Sequence, residues 1–332
     1  MRQSHELDYM DVRAKKRGIV LLLISVFSLF SVNAAEQLTK EVSADLPHTL
    51  IRLPNVHPGR DSIYEYAKAL LNEALLITQP QYGTFNIIVS GQESAQERQL
   101  RSLEHNLLDV TWSVTSIERE RQFLPIRIPI MAGLFGKRAL FIKEGDTRFE
   151  QVKTLEELKS FRAVLGYDWP DTKIFRANNL PVLETTYRAS FRIVSEGFAD
   201  IFPRSVMEIQ EEFGDKTLTR GLAIDDNLII SYPSPIFFFV RSDNSALASR
   251  IAEGLLMMFE SGKFQELLLS QDSFRQGMSM MEGRTELNIE NPFLSEPSRI
   301  ALEKFLPEFI ATKTLEPSDA SDSVAPVLTE KQ

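Results

Sequence analysis

Segments with strand character and segments with helix character alternate along most of this chain. The apolar run at 84–90 is typical of a strand, and before it apolar residues recur at helical spacing from Ile63 to Leu75. The alternation returns between residues 138 and 231, and another apolar strand pattern at 235–240 precedes a further helical repeat. Because strands that alternate with helices assemble into sheets covered by helices, we expect an α/β fold with a largely parallel sheet.

Several helix ends are marked by residues with known capping behaviour. Thr154 with Glu157 and Ser205 with Glu208 both match the capping box, in which two side chains satisfy backbone groups at a helix N-terminus. The helical repeat at 247–259 is followed by Gly262, the residue type that most often ends a helix. We therefore predict helices that begin after Thr154 and Ser205, and a helix that ends near Gly262.

The composition narrows the classes of function open to the chain. Its 332 residues carry a formal net charge of −9, and an acidic chain repels polyanions, so we expect no nucleic-acid partner. The sequence contains no cysteine, no HExxH zinc motif, no GxSxG nucleophile elbow and no glycine-rich phosphate loop. We therefore expect no catalytic activity, cofactor or metal, although the abundant carboxylates leave a glycosidase-type acid pair as an alternative.

The N-terminus has the layout of a secretory signal peptide. A basic cluster at 15–17 precedes an apolar stretch at 18–30, and small residues then lead to Ala34. The apolar stretch is shorter than the roughly 20 residues that a membrane-spanning helix needs, so an uncleaved anchor is the less favoured alternative. We expect a signal peptide at 1–34, cleavage after Ala34, and a periplasmic protein if the source is a Gram-negative bacterium.

Four local motifs follow one another in a characteristic order and spacing. They are DVTWSVTSIERERQFLPIRIPI, LEELKSFRAVLGY, EGFADIFPRS and FFFVRSDNSALASRIAEGLLMMFESGKFQELL. Together they resemble the type II periplasmic solute-binding proteins, specifically the family of amino-acid-binding receptors of ABC transporters. The similarity covers residues 48–269, most of the chain that would remain after cleavage.

The resemblance implies a two-lobed fold, with two α/β lobes joined by two hinge strands and a ligand cleft between them. Lobe 1 would comprise residues 48–137 plus 236–312, and lobe 2 would be the inserted segment 138–235. The hinges would lie near GKRALFI and SYPSP, and a monomer would close its lobes over the ligand. Beyond the lobes, the polar segment 315–332 has too little apolar content to fold and is predicted to be disordered.

In lobe 1 the resemblance places the ligand site at and after the strand that contains Trp112, Ser113 and Thr115. The family uses the arginine of a Thr-x-x-Arg motif to hold a ligand carboxylate, and a planar guanidinium suits that anion better than an ammonium does. Arg119 is the best match to this position, and Arg121 is the alternative because the spacing differs by one residue. A core position for Trp112 is also open.

In lobe 2 the segment YDWPDT stands where the amino-acid receptors carry a glycine with serine or threonine. Asp168 could receive a cationic or hydroxylated group of the ligand, and Trp169 could stack on an apolar or cationic face. The alternative is that Asp171 or Thr172 merely caps the helix that follows.

A second departure from the family lies in ADIFPRS. The receptors commonly carry an aspartate for the ligand ammonium at the position that Ser205 occupies here, and Arg204 stands beside it. We expect Arg204 to be an additional cation at the cleft, which makes an ordinary α-amino acid less secure as the ligand.

Together these observations predict a periplasmic solute-binding protein. It would capture a small polar, carboxylate-bearing ligand, such as an amino acid or a related carboxylate, and deliver it to an ABC permease. A ligand sensor that acts on a membrane signalling partner in trans is the alternative, and a cell-wall lytic enzyme is a more distant one.

Overall fold

The computed structural model describes residues 46–55, 61–93 and 96–311. The predicted signal peptide at 1–34 and the predicted disordered tail at 315–332 lie outside the described residues. Residues 46–49 and Gln79–Phe85 belong to a small unit in which the backbone N–H of Thr49 donates to the carbonyl of Thr84 at 2.9 Å. The remaining described residues belong to a second, much larger unit.

The first stretch of the chain alternates strands and helices as the sequence predicts. Along α1 the predicted apolar stripe is fully buried at Ala67, Leu70, Leu71, Ala74 and Leu75. The elements are β1 (Thr49–Asn55), α1 (Asp61–Ile77), α2 (Gln79–Tyr82), β2 (Phe85–Glu93), α3 (Gln96–Glu104), β3 (Thr111–Val114), α4 (Ile117–Gln122) and β4 (Phe123–Ile126).

The middle stretch repeats the alternation with shorter elements. It consists of β5 (Lys137–Lys143), α5 (Leu155–Leu158), β6 (Ala163–Gly166), α6 (Pro170–Ala177), β7 (Val182–Thr185), α7 (Tyr187–Ser195), β8 (Ile201–Ser205), α8 (Ile209–Gly214), β9 (Leu222–Ile224) and β10 (Leu228–Ser231). The last stretch consists of β11 (Ile236–Arg241), α9 (Ser245–Glu260), α10 (Lys263–Leu269), α11 (Asp272–Met280), β12 (Thr285–Asn288) and α12 (Glu296–Ala311).

Pairing between the strands is mixed, which corrects the expectation of a largely parallel sheet. In a three-stranded sheet β11 runs antiparallel to both β3 and β4. In a seven-stranded sheet of order β12-β10-β5-β8-β6-β7, with β9 also on β5, the pairs of β6 with β7, β6 with β8 and β10 with β12 are parallel. The pairs that β5 makes with β8, β9 and β10 are antiparallel. A buried strand has the same kind of apolar sequence whether it pairs in a parallel or an antiparallel direction. The sequence alone therefore could not reveal the direction of pairing.

The two larger sheets have separate apolar cores. One cluster packs Phe237 and Phe239 of β11 against Leu100 and Leu103 of α3 and against Phe123. The other collects buried side chains from the seven-stranded sheet and its helices, among them Leu140, Ile142, Leu165, Phe175 and Ile230. Each core therefore holds its own set of strands in place. The polar side chains of the candidate site lie at or near the ends of these strands.

The helix-end predictions fare unequally. Thr154 and Glu157 form the capping box at the start of α5, and α9 ends at Glu260 just before Gly262, whose φ is 78°. The second capping box is wrong, because Ser205 lies in β8 opposite Arg138 and α8 begins only at Ile209. Ser205 instead accepts a hydrogen bond from the backbone N–H of Met207 at 3.2 Å.

Within the described residues, no helix is both long and apolar enough to cross a membrane.

Candidate functional site

Helix α4 buries one of the two candidate arginines and exposes the other. Ser116 caps the helix by accepting a hydrogen bond from the Arg119 backbone N–H at 3.2 Å. Residues two apart on a helix lie on nearly opposite sides, so Arg119 and Arg121 cannot share a face. Arg119 is 7% exposed, whereas Arg121 is on the solvent side.

The Arg119 guanidinium is held firmly on one side only. Its Nη1 donates to Ser113 Oγ at 2.5 Å, to the Val114 carbonyl at 2.7 Å and to Gln96 Oε1 at 3.1 Å. Among the described residues Nη2 donates no hydrogen bond, and its ion-pair partner, Glu97 Oε2, lies at 3.7 Å. Ser113, a predicted ligand residue, therefore positions the arginine.

Electrostatically, Arg119 is a partly desolvated cation surrounded by carboxylates. Burial lowers the pKa of Arg119, while the negative charges of Glu97, Asp171, Asp168 and Glu118 oppose that effect. The Arg119 guanidinium nevertheless stays protonated, as arginines do in proteins. Its electrostatic interactions are stronger at this buried position than they would be in water. The charge of Arg119 is therefore stabilised by carboxylates on α3 and α4 and by those at and just before the start of α6.

Thr115 and Arg127 hold α4 in place through hydrogen bonds to Glu120. Both donate to the carboxylate of Glu120, Thr115 Oγ1 at 2.6 Å and Arg127 Nη2 at 2.8 Å. Ser295 and Ser298, at the start of α12, add hydroxyl hydrogen bonds of 2.7 Å each. Burial alone would raise the pKa of Glu120, but these four donors lower it below its ordinary value of 4.5. The Thr115 hydroxyl is thus committed to Glu120.

Trp112 takes the core position that the sequence left open. It is 8% exposed, and its ring lies 5.4 Å from that of Tyr64 and 6.2 Å, edge to face, from that of Phe238. Such ring separations are those of stabilising aromatic pairs. The indole is therefore tied to α1 and β11.

In the segment YDWPDT, the alternative in which Asp171 or Thr172 caps a helix is wrong. The N-cap of α6 is Trp169, and both Asp171 and Thr172 lie inside the helix because Pro170 already starts it. Thr172 Oγ1 donates to the Gly166 carbonyl at 2.8 Å. Asp168, just before the helix, is half-buried.

The Asp171 carboxylate begins a row of buried charges that we call the charge chain: Asp171, Arg138, Glu208, Arg204 and Glu212. Arg138 Nη2 donates to Asp171 Oδ1 at 2.5 Å, and its Nη1 lies 3.8 Å from Glu208 Oε2. Arg204 Nη2 lies 3.0 Å from the same Glu208 oxygen and donates to Glu212 Oε1 at 2.6 Å. Positive and negative groups therefore alternate along the whole row.

Tyr232 closes the Asp171 end of the charge chain. Its hydroxyl donates to Asp171 Oδ1 and accepts a hydrogen bond from Arg138 Nε at 2.8 Å. Burial raises the pKa of Tyr232 well above its ordinary value of 10.0, so the phenol keeps its proton. Arg138 is the second residue of β5 and Tyr232 directly follows β10, so Asp171 ties both strands to α6.

Arg204 is placed differently from the expected additional cation at the cleft. The residue is 3% exposed, and its Nε donates to Glu212 at 2.9 Å. Burial alone would lower the pKa of Arg204, but Glu208 and Glu212 raise it above the ordinary value. Its charge is therefore neutralised within the protein.

Sequence reasoning missed four members of this arrangement: Arg138, Glu208, Glu212 and Tyr232. A usable signal was present in GKRALFI and DIFPRS, where a charged residue stands in an otherwise apolar strand. Such a charge requires a buried partner of opposite sign. Within the part of the chain that the structure describes, no group of three or more acidic or histidine side chains is arranged to hold a metal ion.

Comparison with known proteins gives a fold but no family. No protein-family model matches the chain, and no curated protein matches it. Among solved structures, the chain is similar to the probable amino-acid ABC transporter extracellular-binding protein ytmK from Bacillus subtilis, at 15% identity and a TM-score of 0.50. The match covers 69% of this chain and 99% of that one.

The chain has the fold of a type II periplasmic solute-binding protein. The predicted α/β fold class is thereby confirmed. An ancestral arginine-binding protein bound to arginine also matches, at 16% identity and a TM-score of 0.49, over 67% of this chain and 98% of that one. A histidine kinase sensor domain with similarity to periplasmic binding proteins matches at 15% identity and a TM-score of 0.48, over 68% and 96%.

In this fold, the predicted residues occupy positions of two kinds. Trp169 follows the carboxyl end of β6 and Arg204 lies near that of β8, and β6 and β8 run parallel. Ligands of open α/β sheets bind at such carboxyl ends. The charges of Asp168 and Asp171 favour the protonated form of Arg119, while the side chains of Trp112, Thr115 and Arg204 contact other residues of the protein.

Proposed function

We propose that the protein is a periplasmic solute-binding protein that captures a small, carboxylate-bearing ligand at Arg119. The observation that carries this proposal is the half-satisfied guanidinium, with Nη1 fully engaged and Nη2 without a hydrogen bond among the described residues. The Nη2 group thus keeps its donors available, and a carboxylate is the partner with which a guanidinium forms strong, charge-assisted hydrogen bonds.

The site lies between the two lobes that we propose, residues 48–137 with 236–312 and residues 138–235. Two contacts support this placement. Lys173 of α6 forms a 2.9 Å ion pair with Glu118 of α4, next to Arg119 in sequence. The carboxylates of Asp168 and Asp171 act on Arg119 from the α6 side. A ligand held by Arg119 would therefore meet polar groups from both lobes.

The remaining parts of the proposal follow from a receptor of this kind. The protein would be exported with cleavage after Ala34, act as a monomer without cofactor or catalysis, and present its closed form to an ABC permease. The bound ligand would favour the closed form only in so far as it binds that form more tightly than the open one. Asp168 is the residue that we expect to meet the part of the ligand opposite its carboxylate.

A thermal-shift screen tests the proposal. The exported protein is melted in the presence of amino acids, opines, dicarboxylates and polyamines. A carboxylate-bearing compound at about 100 times its Kd should raise the melting temperature by several degrees, since it adds about 2.7 kcal/mol to the folded state. If none of the carboxylates raises it, or if only polyamines do, the proposal of carboxylate capture is wrong.

A further inference from the structure

Arg204 lies in a cage of aromatic rings. The centre of its guanidinium is 4.8 Å from the ring of Trp169, 5.4 Å from that of Tyr187 and 5.5 Å from that of Phe202. The three rings come from three different elements, namely the N-cap of α6, the first turn of α7 and strand β8. Cations are attracted to aromatic faces within about 6 Å, and most strongly when water is excluded.

Two carboxylates complete the cage. Glu212 accepts from both Nε and Nη2 of Arg204, at 2.9 and 2.6 Å, and also from the Tyr187 hydroxyl at 2.9 Å. Glu208 is 8% exposed, and its Oε2 lies 3.0 Å from Arg204 Nη2 without hydrogen-bond geometry toward any described residue. The guanidinium tethered to β8 thus leaves one buried acceptor oxygen without a hydrogen bond.

We propose that Trp169, Tyr187, Phe202, Glu208 and Glu212 form a binding site for a guanidinium cation, and that Arg204 occupies this site as a tethered ligand. Stacking rings recognise the planar face of a guanidinium, and carboxylates recognise its fork of N–H donors. The same rings and carboxylates would bind a free alkylguanidinium equally well. Glu208 Oε2, which accepts no hydrogen bond from a described residue, offers it a further acceptor.

One consequence concerns the specificity of the protein. The cage lies beside the start of α6, where Asp168 precedes the helix and Asp171 lies in its first turn. With Arg204 in place, a guanidinium group on an incoming molecule cannot enter the cage, so Arg204 excludes it. This inference does not depend on whether Arg119 binds a carboxylate.

Chemical rescue tests the inference directly. Arg204→Gly removes the whole side chain, and n-propylguanidinium has the atoms that are removed beyond Cα. The variant alone should melt several degrees below the wild type, because Glu208 and Glu212 lose their cation. Millimolar propylguanidinium should recover at least half of that loss along a saturable curve, and it should leave the wild-type melting temperature unchanged.

Two controls separate a specific cage from general effects of the cation. Propylammonium carries the same charge without the planar fork and should rescue at least ten times more weakly. Arg148→Gly is the matched variant, because Arg148 also lies over two rings, at 5.8 and 5.1 Å, and pairs with Asp146 and Asp200, but its side chain is 56% exposed. Propylguanidinium should not rescue the Arg148→Gly protein along a saturable curve.

If Arg204→Gly folds and propylguanidinium stabilises it no more than it stabilises Arg148→Gly, or no more than propylammonium does, the inference is overturned. If Arg204→Gly does not fold alone, its refolding from urea is measured with and without propylguanidinium. Recovery of folded protein only in the presence of propylguanidinium supports the cage, and no recovery in its presence overturns it.

Discussion

At the scale of single residues, the candidate site depends on which way each side chain of α4 points. Arg119 turns inward to Ser113 and Gln96, Glu120 turns toward α12, and Arg121 remains in solvent. The sequence offered both arginines because their spacing from Thr115 could not be matched uniquely to the resembling motif. The groups that accept hydrogen bonds from Arg119 lie on β3 and α3. Which arginine points inward is therefore determined by the tertiary structure and not by the local sequence.

Glu120 should make the stability of the protein depend on pH in a predictable direction. The pKa of its carboxylate is below its ordinary value of 4.5 in the folded protein, so its contribution is present above that value and lost as the pH falls through the folded pKa. Glu120→Gln should therefore lower the free energy of unfolding by about 1–3 kcal/mol at pH 7 and by much less in acid. Urea unfolding at pH 7 and below pH 4 measures both values.

Glu118→Gln is the control for Glu120, because it lies on the same helix but pairs with Lys173 at the surface. Exposed ion pairs contribute about 1 kcal/mol at most, so we expect little change at either pH. An equal loss of stability for Glu120→Gln at both pH values would contradict the role given to its four hydrogen bonds.

At the scale of elements, β5 and β10 are antiparallel neighbours, and Gly136, just before β5, lies close to Tyr232, just after β10. A methyl group on Gly136 would lie 2.0 Å from the Tyr232 carbonyl oxygen. The Tyr232 backbone N–H also donates to the Gly136 carbonyl at 3.1 Å. Only a residue without a side chain allows this approach, which brings Tyr232 to Arg138 and Asp171.

Gly136→Ala should therefore separate the two segments and weaken the Asp171 end of the charge chain. We expect a loss of about 1–3 kcal/mol in the free energy of unfolding, the usual cost of overpacking. Gly214→Ala is the control, since a methyl group there meets no atom within 4 Å. Equal stabilities of the two variants in urea would show that the close approach at Gly136 is unimportant.

The sequence predicted the types of many of the described elements, but it missed β4, β9, β10, β12, α10 and α11, and it did not predict how the strands pair. Apolar periodicity and capping residues are local features, so β2, β11, α1 and the capping box at Thr154 could be found. The direction in which β5 pairs with β8 depends on contacts between residues far apart in sequence. The same is true of Ser205, which was predicted to start a helix but lies in β8. The charge chain was missed for the same reason, since Arg138 and Asp171 are 33 residues apart.

At the scale of the whole molecule, capture of a ligand would depend on bringing α4 and α6 together. The ion pair of Glu118 and Lys173 is the contact that should change with closure of the proposed lobes. Lys173→Glu should weaken ligand affinity by about two- to five-fold, the range expected for an exposed pair. Addition of Glu118→Lys should restore it, as calorimetry with the compound found in the thermal-shift screen would measure. A double variant no better than the single one would show that the pair plays no part in closure.

The most direct test of carboxylate capture compares the two arginines of α4. The compound found in the screen is titrated by calorimetry into the wild type, Arg119→Ala and Arg121→Ala. Loss of a charge-assisted hydrogen bond costs about 1.5–3 kcal/mol, so Arg119→Ala should bind about 10- to 100-fold more weakly, while Arg121→Ala should match the wild type within a factor of two. Unchanged affinity in Arg119→Ala, with the variant folded, would show that Arg119 does not bind the ligand carboxylate.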